Sequence, residues 1–319
     1  MEFWTNKFPA MGRTDLRDLK KFIDEKFRVF SRSWGESLEN FFHPLLEFLV
    51  WFEKLLLATP WPVIIFVIGG LAWLGSRSWG IVIGSVLSFL AIGYFGMWKD
   101  TMSTLAIISV STIVCISVGI PLGILMARSD RVQSVITPVL DIMQTIPAFV
   151  YLIPVVMLLG IGKVPGLISV CIYAIPPVVR LTNLGIRLVD KEALEAADAF
   201  GANYRQRLFG VQIPLALPNI FAGINQTIMM ALAMVVIASM IGVAGLGVPV
   251  LRAISNQYLA LGIMNGLAIV ALAIIFDRVS QSYGQRLQRH RHGEHHDCCL
   301  LYTSPSPRDR TRSRMPSSA

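Results

Sequence analysis

A chain of 319 residues with 54% hydrophobic and only 15% charged side chains, at a mean hydropathy of +0.60, is not a water-soluble domain. It has the composition of an all-α bundle of membrane-spanning helices, and at ~20 apolar residues per crossing of a ~30 Å hydrocarbon layer about seven crossings fit. The formal charge is +8, of which the last 21 residues supply +3 (four Arg, one Asp), so the rest stays basic at +5; the expected partner is a lipid bilayer and no nucleic acid. The four cysteines form no paired framework and say nothing of disulfides.

The first 18 residues lack the basic, apolar, small-residue order of a cleaved signal, so insertion is expected through internal spans. Residues 14–30 place Leu16, Leu19, Phe22, Ile23, Phe27 and Phe30 on one helical stripe, with charges of both signs opposite. Residues 45–57 are more apolar, but Glu47, Glu53 and Lys54 are costly in mid-bilayer. A helix lying in the interface is expected there, with a poor first span as the alternative. Residues 1–59 thus form an extracytoplasmic region of amphipathic and interfacial helices ahead of a membrane domain over 60–290.

Spans are expected at 61–75, 80–98, 101–126, 134–160, 164–187, 218–241 and 261–280, the first framed by Trp61 and Trp73 as interface anchors. Arg128 and Arg131, then Arg187, Lys191, Arg205 and Arg207, then Arg278, Arg286 and Arg289 fall in alternate connections. The other connections hold mainly Lys99, Lys163 and Arg252. The positive-inside rule therefore puts the 190–217 connection and the C-terminus in the cytoplasm, and seven spans leave the N-terminus outside. Residues 291–319 read as a disordered tail. Of these, 299–309 and 313–319 match the translation of a sequencing-library adapter, so 299–319 are set aside from the fold. The neighbouring His290, His292, His295, His296 and Cys298 fit an irregular basic end better than a metal site.

Residues 192–218, "EALEAADAFGANYRQRLFGVQIPLALP", interrupt the apolar pattern. Helix formers lead to Gly201, which permits the turn, a second helical piece follows, and Pro214 and Pro218 begin the next span. A helix–turn–helix this organised on a surface binds something. Glu195-Ala196-Ala197, Gly201 and Val211-x-Ile213-Pro214 match the "EAA" signature, and the chain resembles the permeases of ABC importers. Residues 143–166, 174–189, 200–242 and 276–287 resemble the glycine betaine/proline betaine subfamily, the likeness covering roughly 60–290.

That resemblance implies the type I importer fold, working in the bacterial inner membrane as two copies with two cytoplasmic ATP-binding subunits. It also implies a separate extracytoplasmic substrate-binding protein, received by the outer connections. Residues 190–217 become a coupling loop in which Glu195 fixes the first helix and Gly201 the turn, Ala196 and Ala197 complete the signature, and Asn203, Tyr204, Arg205 and Gln206 face the ATPase. The chain itself has no G-x-x-x-x-G-K-[ST] phosphate loop, so ATP and Mg belong to the partner and no cofactor is expected here. No catalytic residues are expected either. Spans 101–126 and 218–241 carry no charge, which disfavours a proton- or sodium-driven carrier. The glycines Gly242, Gly245 and Gly247 suggest flexibility beside an outer gate.

Asp141 and Arg180 fall at similar depth and either pair or snorkel independently. Gln144, Thr145, Pro147, Tyr151, Asn225, Gln226, Thr227 and Met229 are candidates for the translocation pathway, since amides and aromatic faces suit a small quaternary ammonium cargo. Helix–helix hydrogen bonding is the other reading for each. Choline or carnitine is the alternative cargo, and a membrane scaffold or sensor the alternative of a different class.

Overall fold

A computed structural model describes residues 11–302, with side chains over 11–284, and every regular element among them is helical. The helices are α1 Arg13–Ala58, α2 Trp61–Ser76, α3 Trp79–Tyr94, α4 Trp98–Arg128, α5 Asp130–Thr145 and α6 Ala148–Leu159. Then come α7 Lys163–Arg187, α8 Lys191–Ala199, α9 Tyr204–Gln206, α10 Ile213–Ala238, α11 Gly247–Asn256 and α12 Leu259–Tyr302. Four stretches are long and apolar enough to cross a membrane alone: Trp98–Arg128, Lys163–Arg187, Tyr204–Ile241 and Leu259–Gly284. Two bent pairs, Arg13–Ala58 with Trp61–Ser76 and Asp130–Thr145 with Ala148–Leu159, raise that to six, against the seven crossings expected. The crossing that falls short is α3, an apolar helix of only 16 residues.

The core is a three-helix sandwich with α7 in the middle. Ser111, Cys115, Gly119 and Gly123 recur every fourth residue on α4, and this small-residue seam lets α7 approach closely. A Cβ on Gly119 would stand 2.4 Å from Val178 Cγ1, and one on Gly123 2.6 Å from Thr182 Cβ. The thiols cross the same seam, Cys115 Sγ donating to the Cys171 carbonyl at 3.5 Å and Cys171 Sγ to that of Ser111 at 3.9 Å. On the other side α10 fits against α7 at Gly185 and Gly223. Met102, Ile108, Leu167, Val170, Met234 and Leu272 are fully buried around this sandwich. Phe66, Leu74, Ile83 and Leu87 stay exposed on α2 and α3, as lipid-facing side chains do.

The expected single span at 134–160 is two helices meeting at 101°. Of its three prolines only Pro147 breaks the chain, because it forces Ile146 into extended conformation (ψ 129°), whereas Pro138 and Pro154 sit inside helices. The orphaned carbonyls at the end of α5 find new donors. Ile142 accepts from the Ile146 amide at 3.1 Å and from Thr145 Oγ1 at 3.0 Å, and Met143 accepts from the Tyr151 hydroxyl.

Nor are 14–30 and 45–57 separate helices; α1 runs unbroken through 46 residues, with Pro44 inside it. It turns by 109° into α2 at Thr59-Pro60. Ser31 Oγ donates to the Met157 carbonyl at 2.9 Å at the end of α6, while Glu53 reaches Lys163 at the start of α7. The ends of α6 and α7 that meet α1, together with the first turns of α4, mark one end of the bundle, called here the far end. The 190–206 connection marks the other, the elbow end. The C-terminal helix α12 continues through Tyr302, past 290 where an irregular tail was expected; no proline interrupts it before Pro305. The side chains of His290, His292, His295, His296 and Cys298, and all of 303–319, lie outside the described residues.

Candidate functional site: the elbow and the helices it joins

Local sequence dictates the elbow almost atom by atom. Asp190 caps α8 by accepting from the Glu192 amide at 3.2 Å. Gly201 ends it at φ +76°, its amide donating to the Asp198 carbonyl at 2.9 Å and the Ala202 amide to that of Ala197 at 3.0 Å. These are the two bonds of a glycine-terminated helix, so Gly201 is required by backbone conformation. Space is not the reason, since nothing lies within 4 Å of where its Cβ would be. Asn203 and Gln206 then exchange side-chain-to-backbone bonds at 3.0 and 2.9 Å and start α9.

A π-helical turn over Arg207–Gln212 joins α9 to α10. Pro214 has no amide to continue an α ladder, and the Ile213 amide bonds five residues back to Leu208 instead. Wide turns of this kind concentrate at places where a helix must bend or move.

Three further contacts tie the elbow to the bundle. Arg207 Nη1 reaches Asp198 Oδ2 at 2.9 Å across the glycine turn. The Arg128 guanidinium at the end of α4 lies 4.3 Å from the centre of the Tyr204 ring. Arg187 Nη2 bonds Asp130 Oδ1 at 2.7 Å and the Met126 carbonyl at 3.0 Å, fixing α7 to the α4–α5 turn. Phe200 is left 94% exposed at the tip, in the company of exposed Tyr204 and Phe209. Phe200 is the most exposed large hydrophobic side chain among the described residues.

The roles expected within the signature shift in detail. Glu195 is exposed and makes no hydrogen bond or ion pair among the described residues, so Asp190 and Asp198 do the fixing assigned to it. Ala196 is exposed and Ala197 half-buried. Asn203 and Gln206 spend their amides on each other and Tyr204 sits against Arg128, whereas Arg205 and Phe200 are simply exposed.

The pathway candidates divide. Gln144, Thr145 and Pro147 are exposed at the α5–α6 break. Gln226 and Met229 are exposed with Ala222 and Ala233 in one stripe of α10. Tyr151, Asn225 and Thr227 turn inward: Tyr151 bridges the α5–α6 break, Thr227 is fully buried, and Asn225 Nδ2 donates to Asp277 Oδ1 on α12 at 2.9 Å. Consecutive residues on a helix lie ~100° apart, so Asn225, Gln226 and Thr227 cannot share a face. Arg180 Nη2 donates to Asp141 Oδ1, joining α7 to α5.

At the far end the glycines serve packing rather than looseness. The Leu246 amide donates to Thr104 Oγ1 at 2.9 Å, a Cβ on Gly245 would stand 2.5 Å from that oxygen, and one on Gly247 2.9 Å from Val236 Cα. Sequence reasoning also missed Asp198, Asp277 and the Glu53–Lys163 pair, whose partners are distant in the chain or set by rotation about a helix. A slot of about 780 Å³ between α1, α2, α4, α10 and α12 is lined by Leu56, Val67, Leu272 and Phe276 among others. Its walls are apolar and suit hydrocarbon, not a charged cargo.

Residues 119–289 match the family described as binding-protein-dependent transport system inner membrane component. The chain is 51% identical over 234 residues to the glycine betaine/proline betaine transport system permease protein ProW of Escherichia coli (strain K12). That match covers 73% of this chain and 66% of the relative, just under two thirds of its length. The glycine betaine/carnitine transport permease protein GbuB of Listeria monocytogenes serotype 1/2a (strain 10403S) is 47% identical over 232 residues, covering 72% and 82%. In fold, the chain is similar to the MetNI methionine ABC transporter in an inward-facing conformation, at TM-score 0.54 and 18% identity over 60% of this chain and 95% of that one.

Proposed function

Since this chain belongs to the family of binding-protein-dependent transport system inner membrane components, we propose that it forms the membrane pathway of an ATP-driven importer of glycine betaine or proline betaine. Two copies line the pathway, two cytoplasmic ATP-binding subunits that hold ATP and Mg dock on the elbows, and a separate extracytoplasmic protein delivers cargo at the far end. The elbow end is cytoplasmic, in accord with its excess of basic residues in a multi-pass inner-membrane protein. The permease supplies no catalytic group; it converts motion into access.

The observation that carries this reading is the rigidity of the elbow combined with its exposed tip. Helix α8 is fixed to the π turn by Asp198–Arg207, and the start of α9 to α4 by Arg128–Tyr204. The elbow leads directly into α7 on one side and α10 on the other. A partner that grips Phe200 and Arg205 and moves therefore carries α7 and α10 with it as packed bodies. The α10 stripe of Ala222, Gln226, Met229 and Ala233 is uncharged and adaptable, so a small zwitterion crosses it without being held tightly.

The test is uptake of labelled betaine by vesicles holding permease, ATPase and binding protein. ATP-dependent uptake that Gly201→Pro abolishes supports the reading; uptake unaffected by that variant sinks the role of the elbow. Carnitine is the second cargo considered, because one relative carries it in its name. Competition by unlabelled carnitine against labelled betaine separates the two.

A further inference from the structure

One buried carboxylate plays no part in the lever described above. Glu53, near the end of α1, is only 8% exposed. Ser103 Oγ of α4 donates to its Oε1 at 2.9 Å, and Lys163 Nζ, at the first residue of α7, to its Oε2 at 2.5 Å. A carboxylate inside a membrane bundle is costly unless paired. Here it has a cation, a hydroxyl and the positive end of a 25-residue helix beside it.

Its two anchor points are also the seats of the far-end loop. The residue after Ser103 is Thr104, whose hydroxyl holds the Leu246 amide and abuts Gly245. One turn after Lys163 comes Gly166, where a Cβ would lie 2.0 Å from Val243 Cγ2. Glu53 and the Gly242–Gly247 loop thus grip the same two helix ends, α4 and α7, at the same level.

We propose that Glu53 is a positioning residue of the far-end closure: from α1 it sets the spacing of α4 and α7 on which the 242–247 loop seats. The N-terminal helix is then a working part of the pathway and not an appendage to it. With the carboxylate neutralised, Lys163 loses its counter-charge, the two helix ends separate and the loop loses its seat. The far end then opens without ATP. This inference rests on the transport reading above.

The experiment uses vesicles with all three components, preloaded with labelled glycine betaine. Two readouts are taken: release without ATP, and ATP hydrolysed per betaine imported. Glu53→Gln is expected to raise both by about fivefold or more, the lower range of ordinary coupling between sites. The exchange Glu53→Lys with Lys163→Glu restores tight vesicles, and Glu47→Gln, an exposed acid on the same helix, changes nothing. Ser103→Ala removes only the hydroxyl bond and is expected to leak to a smaller degree, which keeps the test open if Glu53→Gln fails to insert. Normal retention and normal ATP use in both Glu53→Gln and Ser103→Ala, at wild-type amounts in the membrane, overturn the proposal. Absence of ATP-driven uptake by the wild type overturns the transport reading itself, a different and separately visible outcome.

Discussion

Arg207 Nη1 spans both carboxylate oxygens of Asp198, at 2.9 and 3.3 Å, nine residues back across the Gly201 turn. The Asp198 side chain is about half exposed and that of Arg207 a third, so the pair adds no more than about 1 kcal/mol to stability. Its value is directional, since it fixes the angle between α8 and the helix that enters the bilayer. Asp198→Asn and Arg207→Gln are therefore expected to leave the melting temperature within a few degrees of wild type while lowering betaine uptake severalfold. Exchanging the two residues restores uptake. A melting shift as large as the transport loss would reduce the pair to ordinary scaffolding.

The Gly201 turn separates conformational need from steric need, because φ is +76° and the surrounding space is empty. A left-handed backbone costs a non-glycine residue about 1–2 kcal/mol, least for asparagine and most for β-branched side chains. Uptake is expected to fall in the order Gly, Asn, Ala, Val at this position. Equal activity for alanine and glycine in the same vesicle assay contradicts the assignment.

Gly166 presents the reverse case. Its φ is ordinary, but a Cβ would overlap Val243. Overpacking of this kind costs about 1–3 kcal/mol. Gly166→Ala is expected to lower the thermal stability of the detergent-solubilised protein, and Val243→Ala in the same chain to recover most of the loss. Additive losses in the double variant would show that the contact is not what limits the site.

The hydrogen bond between Arg180 and Asp141 joins α7 to the α5 segment just before the Pro147 break. Reversing either charge places two like charges side by side, and each single reversal is expected to lower membrane insertion or uptake. Reversing both is expected to restore it. Failure of the double reversal means that the two charges reach water independently.

The sequence made legible those features that local rules determine. The apolar runs gave the helices, and Gly201 with Asn203 and Gln206 gave the elbow, because caps and glycine turns depend on neighbours within a few residues. Prolines 138, 147 and 154 look alike in the sequence, and only in the fold does Pro147 stand out, with Ile146 extended before it and Tyr151 bonded back to Met143 across the break. The far-end glycines were read as flexibility because a sequence does not show the Thr104 hydroxyl 141 residues before Gly245. Glu53 looked like a residue that had to reach water for the same reason: its cation is 110 positions away. Asp277 was hidden by rotation, since the residue next to it, Arg278, is exposed while Asp277 turns toward α10.

Asp277 Oδ1 accepts from Asn225 Nδ2 at 2.9 Å and from Gln281 Nε2 at 2.5 Å, the first across to α10 and the second along α12. Side-chain hydrogen bonds between membrane helices contribute about 0.6–1.7 kcal/mol, enough to register α12 against α10 but not to hold the fold together. Asp277→Asn keeps an acceptor oxygen and is expected to transport nearly normally. Asp277→Leu leaves the half-buried amide of Asn225 without its acceptor and is expected to lose more stability than the bond itself is worth. Adding Asn225→Leu removes that stranded amide, so the double variant is expected to be as stable as Asp277→Leu alone or more so. Thermal unfolding of the wild type, Asp277→Leu, Asn225→Leu and the double variant measures the coupling directly; a double variant whose loss equals the sum of the two single losses would mean that the residues do not interact.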